Sequence, residues 1–136
     1  MRRAIEGKGL SIQSYAIMAK IREVDTALRA SPQQADRVFE VHPEVCFAML
    51  NDSRPLANSK KRSAGRTERL ELLAKAFGNE PERLLAERPR KTVAADDVID
   101  AFAALWTARR IANGTAESLP AIPERDNLGI RMAILF

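Results

Sequence analysis

Apolar residues recur at helical spacing over residues 11–30, where Ile17, Ile21, Val24 and Leu28 share a stripe while Lys20, Arg22 and Glu23 turn elsewhere. Ser11 suits the N-cap of that helix, and Ser31-Pro32 stops it. The pattern then shortens. Arg37 to Val41 alternates as a short strand does, with Val38 as the inward residue. Pro43 suits the first position of a helix running to about Leu50, and Asn51-Asp52 turns the chain. After a polar, basic loop at residues 54–62, Ser63 starts a helix with Leu70, Leu73 and Phe77 on one face and Gly78 at its end. Glu80 to Glu87 forms a short helix closed by Arg88-Pro89-Arg90.

The strongest helix spans Ala94 to Asn113, with Ile99, Phe102, Ala103, Trp106 and Arg110 on one stripe and Gly114 at its end. Gly129 to Phe136 reads as a terminal strand. Asp126-Asn127 forms the hairpin tip that joins it to the stretch near Leu119–Ile122. Two or three short strands are too few to give five helices a sheet to rest on. The chain is therefore either mainly a helical cluster or an incomplete sheet whose edges need a partner.

Composition narrows the class. At 136 residues, a single domain over residues 1–136 is expected, and 46% apolar with 29% charged residues suits a soluble globular chain. Aromatics make up only 5%, which leans the core towards aliphatic residues and helices. The net charge of +4 permits an anionic partner without requiring one. A lone Cys46 between Val45 and Phe47 reads as buried and inert, and gives no reason to expect an oxidising compartment. The longest apolar runs fall far short of the ~20 residues that span a bilayer, and the opening residues do not resemble a signal peptide. A cytoplasmic protein without membrane contact is expected.

The chemistry-bearing residues are mostly acids. Asp97 and Asp100 lie three apart on the last helix, so their Cβ atoms are expected ~5–6 Å from each other, within reach of one metal. Ala101, Ala104 and Ala108 continue that face and would let it lie close to another backbone. The plainer reading is that first-turn acids answer the helix dipole and that Asp96 is a cap. Glu40 stands mid-strand between Phe39 and Val41, either on a solvent face or at a functional strand end. Glu44 is the weaker candidate, an ordinary first-turn acid, and His42 is the only histidine. Lys60, Lys61, Arg62, Arg66 and Arg69 form a basic segment, either a solvated loop or a phosphate contact.

Several strings together carry a resemblance: Val38-Phe39-Glu40-Val41-His42-Pro43-Glu44, Lys60-Lys61 followed by Gly65-Arg66 and Glu68-Arg69, and Asp97-Val98-Ile99-Asp100-Ala101-Phe102. With Lys20 to Asp25, Trp106 to Arg110 and Gly129 to Met132, they resemble the predicted RNase H-like nucleases catalogued as domain of unknown function 429. The resemblance implies a Glu on the fourth strand, matched by Glu40, and an Asp-x-x-Asp on the last helix, matched by Asp97 and Asp100. Those three would be the catalytic carboxylates and the ligands of Mg²⁺ or Mn²⁺, hard ions that prefer carboxylate oxygens and drive in-line phosphodiester hydrolysis. Lys60, Lys61 and Arg66 would contact nucleic-acid phosphates.

Members of that family begin with a strand bearing a central Asp, followed by two more strands, and nothing before Glu40 matches them. The resemblance therefore implies a partial, N-terminally truncated RNase H-like α/β fold, mostly helical with a few short strands. Metal-dependent hydrolysis is expected to be weak or absent. The alternative is a non-catalytic module that binds nucleic acid or oligomerises, most simply as a homodimer covering its open sheet. A third reading treats every acid as a cap or surface charge.

Overall fold

A computed structural model describes residues 11–136. They fall into two compact units, one holding the chain through Val38 with Arg125–Arg131, the other Phe39–Glu124 with Met132–Phe136.

In the first unit, helix α1 spans Ile12–Ala30, and the Ser11 side chain accepts the Ser14 N–H at 3.0 Å. That satisfies one of the free N–H groups every helix leaves at its start. A single turn, α2 (Pro32–Ala35), follows. Ile17, Ile21 and Val24 lie on the stripe visible in the sequence and, among the described residues, are 52%, 51% and 55% exposed. The other part of this unit is the hairpin tip. Asp126 Oδ1 accepts the N–H groups of Leu128 and Ile130 at 2.9 and 2.8 Å, which folds the turn around one carboxylate. Arg29 reaches the same Asp126 at 3.3 Å, and Arg125 pairs with Asp36 at 3.1 Å.

The second unit opens with strand β1, only Glu40–Val41. The strand expected from Arg37 is shorter because the Arg37 and Val38 N–H groups both donate to Gln34 O, at 2.9 and 3.1 Å. Their amides are already used in a turn, and Val38 points outward at 49% exposure rather than inward. Helix α3 (Pro43–Leu50) follows, then α4 (Ser63–Phe77), α5 (Glu80–Glu87) and α6 (Ala95–Ala112). Strands β2 (Ser118–Arg125) and β3 (Arg131–Leu135) complete a sheet ordered β1-β3-β2. β1 runs parallel to β3, with Glu40 opposite Ile134 and Val41 opposite Leu135. The fold is mixed α/β, largely helical with a small sheet, as expected. β2 lies at one edge and is almost wholly exposed. Pro120 and Pro123 within it lack the N–H groups that would recruit a further strand.

The core of this unit gathers Cys46 and Phe47 from α3, Leu72 and Leu73 from α4, Ile99, Phe102 and Ala103 from α6, and Phe136. α6 packs against α3, α4 and α5 and is the centre of the unit. Leu70, Phe77 and Trp106 lie partly buried on the core, and the Phe77 and Phe102 rings meet edge to face at 5.2 Å. Cys46 is fully buried with Sγ 3.1 Å from Thr107 Oγ1, and burial pushes its thiol pKa up, in line with the inert residue expected. The N-cap of α6 is Ala94, so Asp96 is not the cap but a first-turn acid beside Asp97.

Phe47 is fully buried at the α3–α6 contact, so its loss should leave a cavity that backbone movement fills only in part. Phe47→Ala is expected to destabilise the chain by about 3–5 kcal/mol, measured as a lower urea midpoint. A shift under about 1 kcal/mol would show that the core collapses around the gap.

Candidate functional site

Residues 54–69 carry six basic side chains (Arg54, Lys60, Lys61, Arg62, Arg66, Arg69) against the single acid Glu68. The structure sorts them. Arg69 is only 3% exposed, and its guanidinium donates to Glu44 Oε2 at 2.6 Å, Gly65 O at 2.8 Å and Asn58 O at 3.2 Å. It also lies over the Phe47 ring, 5.4 Å from the centroid. A buried cation needs such partners, because an unpaired charge in the interior costs several kcal/mol.

Two features draw the loop before α4 onto the helix. A Cβ on Gly65 would come within 2.1 Å of Ser59 O, so only glycine lets the loop pass this close. Glu68 then accepts the Ala57 N–H at 2.9 Å with Oε1, and the Asn58 N–H at 3.0 Å and Asn58 Nδ2 at 3.3 Å with Oε2. The loop leaves this anchorage at Lys60, whose Nζ reaches Asp100 Oδ2 on α6 at 3.2 Å.

The result is a cleft of about 200 Å³ between loop, α4 and α6, lined by Lys60, Lys61, Arg66 and Arg69 on one side and Asp96 and Asp100 on the other. Among the described residues, the Lys61 and Arg66 side chains have no ion pair or hydrogen-bond partner. Lys60 and Arg69 also border a second hollow of about 340 Å³ beside Glu44, Leu56 and Asn58.

Of the residues singled out in the sequence, Asp100, Lys60, Lys61 and Arg66 meet in this one cleft. Asp97 does not join them. It borders a separate apolar groove of about 610 Å³ with Leu84, Val93, Phe102 and Leu105. Glu40 lies exposed on β1 and lines neither hollow. Among the described residues, no three His, Cys, Asp or Glu side chains are grouped as a metal ion would need. Asp100 Oδ1 is buried without a partner, an acceptor in want of a cation, yet the Lys60 ammonium already holds its other oxygen. As arranged, this donor set does not fit a two-ion centre.

A family model described as "Protein of unknown function (DUF429)" matches residues 1–125. The chain belongs to that family. No curated protein and no solved structure matches it. Within this DUF429 chain, sequence reasoning undervalued Glu44, which pairs with the buried Arg69, and passed over Glu68. The signal for Glu68 and Arg69 was the string Gly65-Arg66-Thr67-Glu68-Arg69, which sets an acid and a base three and four residues, about one helical turn, after a glycine; Glu44 had none.

The pH response of the loop follows from Glu68. The Ala57 amide above all, then the Asn58 amide and side chain, holds its carboxyl below the usual range, against the opposing effect of burial. A depressed carboxylate contributes its stability fully above the unfolded value, about 4.3, and loses it as pH falls through the folded value. The Ala57 and Asn58 amide proton shifts are therefore expected to hold steady from pH 7 to 5 and then move together at a midpoint below that of an exposed Glu. Glu68→Gln should abolish the transition. A midpoint at or above the exposed value would show that the carboxylate is not held.

Proposed function

We propose that this chain, a member of the DUF429 family, derives from RNase H-like nuclease stock and binds the phosphate backbone of nucleic acid at the α4–α6 cleft. The observation that supports it is the pair of cations without an ion-pair partner among the described residues, Lys61 and Arg66, beside Lys60 in one cleft of about 200 Å³. A phosphate entering it would meet three or four donors, and Lys and Arg that neutralise phosphates release counterions. Hydrolysis with Mg²⁺ or Mn²⁺ is a minor part of the reading. Glu40 and Asp97 do not line the cleft that holds Asp100, and among the described residues no three such ligands are grouped, which supports weak or absent metal-dependent cleavage.

The same geometry separates binding from hydrolysis through one residue. Asp100 holds Lys60 and adds a negative charge to the cleft. If the cleft binds phosphates, Asp100→Asn frees the ammonium and raises affinity; if Asp100 is a metal ligand for catalysis, the same change abolishes cleavage. Fluorescence anisotropy with a single-stranded oligonucleotide is expected to show a log–log salt slope of about −2 for three contacts at about −0.7 each. Asp100→Asn should tighten binding, and Lys61→Ala with Arg66→Ala should remove most of it. Salt-independent binding, or none, overturns this reading. Robust Mn²⁺-dependent cleavage lost in Asp100→Asn would favour the hydrolase instead.

A homodimer is also part of the proposal, formed not through the open sheet expected from the sequence but through the half-exposed Ile17, Ile21 and Val24 side chains of α1. Sedimentation at micromolar concentration is expected to give a dimer that Ile21→Glu converts to monomer; a wild-type monomer would refute it.

A further inference from the structure

We infer that Glu68 is the positioning residue of this cleft: its one carboxylate holds the Ala57 and Asn58 amides and so fixes the loop that presents Lys60 and Lys61. The inference rests on the phosphate-binding reading and names the device that makes the cleft competent. Glu68 projects from α4, yet its hydrogen-bond partners all belong to the loop: Ala57 N at 2.9 Å, Asn58 N at 3.0 Å and Asn58 Nδ2 at 3.3 Å. The buried residues of α4 are Gly65, Arg69, Leu72 and Leu73, so Glu68 is not part of the core. Its bonds answer consecutive backbone N–H groups of a segment outside helix and sheet.

Two neighbours make this anchorage specific. Arg69, one residue on, takes the Asn58 carbonyl at 3.2 Å, so residue 58 is held from both of its backbone groups. Gly65, three residues back, admits Ser59 O against the helix. The loop is thereby fixed over 57–59, and Lys60 and Lys61 follow at once. Ordering a flexible residue costs conformational entropy. A loop already ordered spares the binding event that cost, which is how preorganisation raises affinity. The Lys60–Asp100 pair adds a tether on the far side, but it is the bond a phosphate must displace. Glu68 therefore has to hold the loop while Lys60 changes partner.

The test compares Glu68→Ala, Glu68→Gln and the Lys61→Ala/Arg66→Ala double variant of the full chain. The readouts are anisotropy with a single-stranded oligonucleotide across a salt series, the thermal midpoint, and amide exchange at Ala57 and Asn58. Glu68→Ala is expected to weaken binding about tenfold, to flatten the salt slope by about 0.7 per lost phosphate contact, and to speed exchange at both amides. Its thermal midpoint should stay within a few degrees of wild type. Glu68→Gln keeps one acceptor oxygen and should fall between the two. A purely structural role would lower the thermal midpoint and leave the slope of the folded fraction unchanged. Binding retained in Glu68→Ala but lost in the double variant overturns the role of Glu68 alone. Absence of binding by the wild-type chain, or binding indifferent to the double variant, overturns the cleft reading and the positioning role with it.

Discussion

Arg69 is the constraint around which the second unit is arranged. Its guanidinium is buried, and a cation there is tolerated only with a carboxylate and carbonyl oxygens within reach. Glu44 on α3 supplies the charge, and Gly65 O and Asn58 O supply the rest. α3, α4 and the loop before α4 are thus tied at one point. The bonding is not saturated, since Arg69 Nε and Glu44 Oε1 are buried without partners. The Phe47 ring below the guanidinium contributes an attraction of roughly 0.5–2 kcal/mol. Removing Glu44 would leave a buried cation with carbonyl oxygens alone, and removing Arg69 would untie the loop, α3 and α4 from one another. Neither change is a simple loss of surface charge.

From this tie the cleft follows. With Arg69 fixed, the loop must lie against α4, which Gly65 alone permits, and Glu68 then finds two amides in front of it. Lys60 and Lys61 leave the anchored segment towards α6, where the acids of its first turn wait. Asp96 and Asp97 also answer the positive end of the α6 dipole, so their presence needs no ligand to explain it. Asp100, one turn further, is different: it is held by Lys60 on one oxygen and has the other buried and unpartnered.

The helices were legible because each carries its own punctuation. Pro43, Gly78, Arg88-Pro89-Arg90 and Gly114 bound segments whose apolar spacing is regular, and α3, α4 and α5 start and end where the sequence says. β1 was overextended, since alternation from Arg37 cannot reveal that two amides are already spent on Gln34. The α1 stripe shows the opposite limit. Periodicity says that a face is apolar, but not how deeply it is buried, and Ile17, Ile21 and Val24 stay about half exposed among the described residues. Of the site, charge density along residues 60–69 was visible, while the split of Asp97 from Asp100 was not. Residues three apart diverge by about 60° around a helix of 3.6 residues per turn. Here that angle is enough to send one carboxylate to an apolar groove and the other to a basic cleft.

That divergence decides which chemistry the cleft favours. Two divalent ions need several carboxylates converging on one point, so that the negative charge outweighs the repulsion between the ions. Here the charges around Asp100 run the other way, with Lys60 bonded to it and Lys61, Arg66 and Arg69 alongside. A divalent cation would have to displace an ammonium and sit among the remaining cations, whereas a phosphate needs only to take Lys60 from Asp100. Such an anion would gain Lys61 and Arg66, whose side chains have no ion pair to give up among the described residues. The balance of local charge is thus the ground on which a phosphate is proposed ahead of a metal in this cleft.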